Sequence, residues 1–140
     1  MNVIPFLEQH FYGMEIQPAQ EYARQFADSV AIKGLEGKDS YSIEHEGKVI
    51  CCFGWVNVYE HRAMIWGLFA KDSGPHFTAF TKIAKRLFDG LPHKRLELEV
   101  DYEFDQGHRW ARMLGFEMET GRLRGFRIDG GDSALYSRIR

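Results

Sequence analysis

Three carboxylates recur at every second position in Arg95-Leu-Glu-Leu-Glu-Val-Asp101: Glu97, Glu99 and Asp101. On a β-strand this spacing puts all three on one face and Leu96, Leu98 and Val100 on the other. Acids on one face of a covered strand need cationic partners or an open cleft, and a carboxylate in a cleft can take a proton from a substrate. The commoner outcome is an ion-pair ladder with cationic side chains of a neighbouring strand. His76 and His108 stand near the starts of predicted helices; there an imidazole is most often a surface or capping group, and less often a phosphate contact or a proton donor. Cys51 and Cys52 are adjacent in a predicted strand, so their side chains leave on opposite faces. No further Cys or His stands at ligand spacing. The reading is therefore two packing thiols in a reducing compartment, with no metal.

Length and composition narrow the setting. A chain of 140 residues fits one domain, and its apolar runs are too short for the ~20 residues of a bilayer span, so no membrane is expected. Met1-Asn2-Val3-Ile4-Pro5 has neither a basic nor an apolar leader region, which predicts a cytoplasmic protein. The net charge of −2 gives no global attraction to nucleic acid. Arg109, Arg112, Arg122, Arg124, Arg127, Arg138 and Arg140 crowd the last quarter, where solvated edges and ion pairs are a simpler account than an RNA backbone or a phosphate. Trp55, Trp66 and Trp110 read as core residues.

These residues must be positioned by a small set of elements. Pro18 opens a predicted helix with Tyr22, Phe26 and Val30 on one side, ending before Gly34 or Gly37. Tyr41–Glu44 and Lys48–Val58 form a hairpin about Glu46-Gly47. Ala63–Ala70 is a near-continuous apolar strand, the candidate centre of the sheet. Asp72 or Ser73 caps a following helix in which Phe77, Phe80, Ala84 and Leu87 share a face, up to Asp89-Gly90. The strand Arg95–Asp101 precedes a helix from Asp105 to Leu114, stopped by Gly115. Strands over 116–127 and 133–140 then flank a turn at Asp129-Gly130-Gly131-Asp132. Strands joined through helices require right-handed crossovers beside antiparallel hairpins, hence a mixed α/β sheet.

This order, with the amphipathic helix Gln106–Met113 running into Leu114-Gly115-Phe116, resembles the GNAT-type N-acetyltransferases from about Pro18 to Arg140. The resemblance implies a single domain over 1–140, with a GNAT-like mixed, mostly antiparallel central sheet flanked by helices. It also implies use of acetyl-CoA with a small-molecule or protein amine as acceptor. The strand ending at Ala70 would splay from the strand ending at Asp101, the last strand would lie beside the latter with Arg138 and Arg140 facing its acids, and the backbone of Leu68, Phe69 and Ala70 would hold the pantetheine arm. Lys71, Gly74, His76, Phe77 and Thr78 would meet the pyrophosphate at a helix N-terminus.

The family pattern in that loop is Gln/Arg-x-x-Gly-x-Gly/Ala. Here Gly74 is followed by Pro75 and His76, with Thr78 and Phe80 beyond. Pro75 lacks a donor, and Phe80 adds bulk. In the family's Tyr-x-x-x-Gly-Phe helix, Ala111 stands at the Tyr position and Phe104 near the usual Asn. Alanine cannot protonate a thiolate, so Tyr102, His108 or Tyr136 would do so, and Glu99 would serve as base. The Arg109-Trp110-x-x-x-Leu114-Gly115-Phe116 pattern also resembles GNAT-like proteins of tailed phages. That likeness implies an alternative: a non-catalytic structural or interaction protein, in host cytoplasm or virion, with a virion or host protein partner. The hairpin edge would allow a homodimer.

Overall fold

The computed structural model describes residues 1–26, 30–37 and 39–140. Seven strands hydrogen-bond in one sheet in the order β1-β2-β3-β4-β5-β7-β6. They are β1 (Asn2–Pro5), β2 (Ser40–His45), β3 (Lys48–Tyr59), β4 (Arg62–Phe69), β5 (Arg95–Asp101), β6 (Glu117–Leu123) and β7 (Ser133–Ile139). The helices are α1 (Glu8–Gly13), α2 (Val30–Gly34), α3 (Phe77–Asp89) and α4 (Asp105–Met113). The mixed, mostly antiparallel sheet flanked by helices is the architecture the sequence predicts. The chain forms two compact units, one from Met1–Val56 and Trp66–Phe80, the other from Asn57–Ile65 and Thr81–Arg140.

In the first unit, β1 pairs antiparallel with β2 from Asn2↔Glu44 to Pro5↔Tyr41, and β2 pairs antiparallel with β3 from Ser40↔Gly54 to His45↔Lys48. The β2–β3 turn holds both Glu46 (φ 52°) and Gly47 (φ 78°) in the left-handed region, as a two-residue turn of the primed type requires. Phe6, Phe11, Ile43, Cys51, Cys52, Phe53 and Phe80 are buried here. Successive buried residues on β3 mean that the strand is covered on both faces.

Two expectations in this unit are corrected. Pro18–Phe26 winds as a 3-10 helix, and α2 begins separately at Val30. Ala27 to Ser29 of the expected continuous helix lie outside the described residues. Four-residue spacing does not keep side chains on one face at three residues per turn, and Val30 is 88% exposed. The helix after β4 is also not capped as expected. The Asp72 carboxylate accepts from Lys48 Nζ at 3.0 Å, and the Ser73 hydroxyl caps nothing; a short 3-10 turn, Gly74–His76, leads into α3.

In the second unit, the start of β4 runs parallel to β5 with register Arg62↔Arg95, Ala63↔Leu96 and Met64↔Glu97. Parallel pairing is what a strand-helix-strand connection demands. β5 pairs antiparallel with β7 along its whole length, from Arg95↔Ile139 to Asp101↔Ser133. Leu96, Leu98, Val100, Phe88, Trp110, Leu114 and Tyr136 are all buried in this unit's core. Gly115, at φ 88°, ends α4 as expected.

Gly54 marks the closest backbone approach in the first unit. A Cβ at this position would lie 2.4 Å from Asp39 O and 2.9 Å from Ser40 Cα. Asp39 O accepts from Trp55 N at 3.0 Å, so the facing backbone cannot retreat without losing that bond. Gly54→Ala is therefore expected to destabilise the protein by about 1–3 kcal/mol, read as a lower urea midpoint at unchanged m-value.

Candidate active site

The residues expected to hold a cofactor all lie in the first unit, and those expected to do acid–base chemistry all lie in the second. Along β4, alternate residues turn their backbone groups to opposite edges. Ala70 N donates to Ile50 O of β3 at 3.0 Å, so even-numbered residues serve the β3 edge, and His61 O, which accepts from Arg95 N at 2.9 Å, marks the other edge. Gly67 and Phe69 share the parity of His61. Their groups are already engaged. Gly67 O accepts from Gln20 Nε2 at 2.8 Å, and Phe69 N donates to Gln20 Oε1 at 2.9 Å. Phe69 O accepts from Gln17 N at 3.0 Å, Lys71 N donates to Glu15 O at 2.7 Å, and Ile16 forms an antiparallel bridge with Ala70. Gln17 Nε2 also donates to Gln20 Oε1 at 2.9 Å, which fixes the orientation of the Gln20 carboxamide.

Of the expected trio Leu68, Phe69 and Ala70, only Phe69 thus turns backbone groups to this edge, and Gly67 supplies the second position. Sequence reasoning missed both Gly67 and Gln20. Strand parity could have pointed to Gly67, but nothing in the local pattern marks Gln20. The loop beyond is solvated in part: Lys71, Gly74 and Thr78 are exposed, and His76 and Phe77 half-buried. His76 has its ring centroid 4.5 Å from that of His45. Phe80 is buried and stacks on Phe69 at 6.1 Å, so its bulk fills core space.

In the second unit the acid face of β5 forms an ion-pair network, with different partners from those expected. Glu97 is buried and accepts from Arg62 Nε at 2.5 Å and Arg95 Nε at 2.6 Å. Arg95 continues to Glu119 at 2.9 Å, and Arg127 binds Asp101 at 2.5 Å and Asp129 at 2.8 Å. Arg138 stands opposite Leu96 and so belongs to the other face. Its guanidinium donates to Asp89 at 2.7 Å, to Phe88 O at 2.8 Å and to Leu114 O at 3.3 Å, and Arg140 reaches Asp89 O. These two arginines satisfy carbonyls at the C-terminal ends of α3 and α4, where positive charge is favoured. Arg122 is likewise paired, with Asp132 at 2.7 Å. Much of the arginine cluster is therefore engaged with this chain's own acceptors.

The network leaves Glu99 outside its pairs. Its side chain is exposed, and partial burial of the carboxyl raises its pKa, with Ser133 and the charge of Arg127 pulling the other way. Burial also works to raise Glu97, but Arg62 and Arg95 prevail and hold it below the usual carboxylate range. His108 and Tyr102 do meet: His108 Nε2 lies 2.9 Å from Tyr102 O. A carbonyl only accepts, so Nε2 carries the proton, and Nδ1 is left to accept from the buried Tyr136 hydroxyl at 2.7 Å. Arg112 Nη1 donates to the same hydroxyl at 3.3 Å. Tyr136 stands opposite Leu98, so this chain of polar groups and Glu99 occupy opposite faces of β5. Tyr102 carries Arg122 over its ring at 4.5 Å. Ala111 is fully buried. Among the described residues, no group of three or more His, Cys, Asp or Glu side chains could hold a metal, and no helix is long and apolar enough to cross a membrane.

Solved structures that share this architecture include an acetyltransferase of the GNAT family from Bacillus anthracis, with TM-score 0.67 and 14% identity over 98% of this chain and 93% of that one. The fold is that of the GNAT acetyltransferases. The aminoglycoside 6'-acetyltransferase type Ii superposes with TM-score 0.71 at 11% identity, covering 99% of this chain and 97% of that one. The microcin C7 self-immunity acetyltransferase MccE, in complex with acetyl-CoA and AMP, matches 72% of this chain and 60% of its own, with TM-score 0.56 at 19% identity. No protein-family model and no curated protein matches the sequence.

The two glutamates should respond oppositely to neutralisation. Glu97 is depressed by folding, so its stabilisation is full above the unfolded carboxylate range near pH ~4.3 and disappears as pH falls through the folded value. Glu97→Gln is expected to lower the thermal midpoint at pH 7, with the deficit shrinking toward pH 3. Glu99 is raised, so its ionisation opposes folding as pH rises. Glu99→Gln is expected to raise the midpoint at pH 7 and to match the parent protein at pH 3. Calorimetric scans across that range check both.

Proposed function

We propose that the chain is a GNAT-type N-acetyltransferase domain over 1–140, using acetyl-CoA and a primary amine of a small molecule or protein as acceptor. The observation that carries this reading is the amide recognition on β4. Gly67 O and Phe69 N form an acceptor–donor pair that grips the Gln20 carboxamide, and the amides of a pantetheine arm present the same chemistry. The fold shared with acetyltransferases along nearly the whole chain supports it. Lys71, Gly74, His76 and Thr78 would lie toward the pyrophosphate, where Gly74 leaves open space and Lys71 and His76 supply positive or donor groups.

Acetyl-CoA supplies the activated acetyl group. An attacking amine must be neutral, and Glu99 is the acid of β5 left outside the ion-pair network, with a raised pKa that suits proton uptake. Ala111 offers no proton for the leaving thiolate, and His108 stands with Tyr136 on the face of β5 away from Glu99, so Tyr102, beyond the end of that strand, is the group assigned to return it. Tyr136 holds the His108 tautomer through Nδ1.

A second reading is favoured by specific residues: a non-catalytic interaction protein on the same frame. Gln20 occupies the β4 pair, Ala111 replaces the usual acid, and Pro75 removes a backbone donor from the loop before α3. Thermal unfolding with acetyl-CoA and with coenzyme A separates the two. Saturation at 100 times the dissociation constant raises stability by about 2.7 kcal/mol, or several degrees at this size. The acetyltransferase reading expects that rise, together with release of free thiol in the presence of an amine acceptor. An unchanged midpoint at millimolar ligand supports the interaction protein.

A further inference from the structure

We propose that Gln20 is an intramolecular competitor for the β4 edge, so that release of the segment Glu15–Gln20 sets the affinity for the acyl carrier; this rests on the acetyltransferase reading above. A carbonyl and an N–H two residues apart on one edge of a strand recognise a group that can both donate and accept in the plane of the sheet. The Gln20 carboxamide does this with Nε2 on Gly67 O and Oε1 on Phe69 N. The neighbouring backbone completes a short antiparallel addition to the strand: Gln17 N on Phe69 O, and Lys71 N on Glu15 O. Every odd-numbered polar group described from Gly67 O to Lys71 N is therefore satisfied by the chain's own residues 15–20.

A secondary amide from outside can bind the same pair only if Gln20 leaves, because Phe69 has one N–H and it already points at Oε1. The segment itself is suited to leave. Glu15 and Pro18 are exposed, and Gln20 is polar, though nine-tenths buried. The buried anchors Met14 and Ile16 flank its start, and Arg24, which donates to Phe11 O at 2.9 Å and to Met14 O, fastens the far side of the segment. Release thus means detaching Glu15, Gln17 and Gln20 from the strand edge, and lifting the bridged Ile16, while Arg24 keeps its hold on the α1 end. Affinity for an entering amide is the intrinsic affinity multiplied by the fraction of time the edge is free.

The test is titration calorimetry of acetyl-CoA against the full chain and its Gln20→Ala variant, with Gln20→Glu as a second variant. In Gln20→Glu a carboxylate oxygen replaces Nε2, the group that donates to Gly67 O. Both variants are expected to bind about tenfold or more tightly than the parent, the scale of two modest hydrogen bonds relieved. Equal affinity in parent and variants overturns the competition and leaves the acetyltransferase reading in place. Absence of binding to all three at millimolar acetyl-CoA overturns both.

Hydrogen exchange on the unmodified protein gives a readout that does not depend on how the variants fold. On saturation with acetyl-CoA, the Gln17 and Lys71 amides should lose protection while the Ala70 amide, which serves β3, keeps it. Unchanged protection of Gln17 and Lys71 in the saturated protein counts against the proposal.

Discussion

The edge of β4 away from β3 must find partners for its backbone groups, and much of the molecule can be understood from how it does so. Over Arg62–Met64 the parallel register with β5 supplies them. From Gly67 to Lys71 the partners are a backbone addition by residues 15–17 and one side-chain amide. Buried peptide groups left unpaired would each cost on the order of a hydrogen bond, and that requirement holds the N-terminal segment where it is.

The second organising constraint is alternation on β5. Its even residues build a core with Tyr136 and the C-terminal ends of α3 and α4, and its odd residues form a charged face. Glu97 is tolerated in a buried position because two guanidinium groups reach it, and the half-buried Asp101 is paired by Arg127. Among the described residues, Glu99 alone of the three odd-numbered acids lacks such a cation at ion-pair distance, and burial raises its pKa against the opposing pull of Ser133 and the more distant charge of Arg127.

Local signals carry the architecture well. The turn at Glu46-Gly47, the stop at Gly115 and the alternation at Arg95–Asp101 each rest on backbone stereochemistry that short stretches encode, and the structure has all three. The stretch from Pro18 departs from its expected form because four-residue spacing is informative only if the winding is α-helical. The partners of the acids differ from the expected ones because Arg138 stands opposite an even residue, and register, not proximity in sequence, decides the face. Arg95 was within reach of inference, two residues from Glu97 on the same strand. Arg62 and Glu119 are brought in by long-range pairing, and Gln20 by a contact across 47 residues, which no local pattern reports.

The adjacent thiols of β3 have a practical consequence. Both are almost wholly enclosed, and burial pushes Cys52 up to about 12, with Cys51 also raised well above its ordinary value. Alkylating reagents attack the thiolate, so in the closed protein these sulfurs are chemically silent at neutral pH. Any modification that does occur therefore times the opening of the sheet's interior, and the chain carries its own clock for that event without an introduced label.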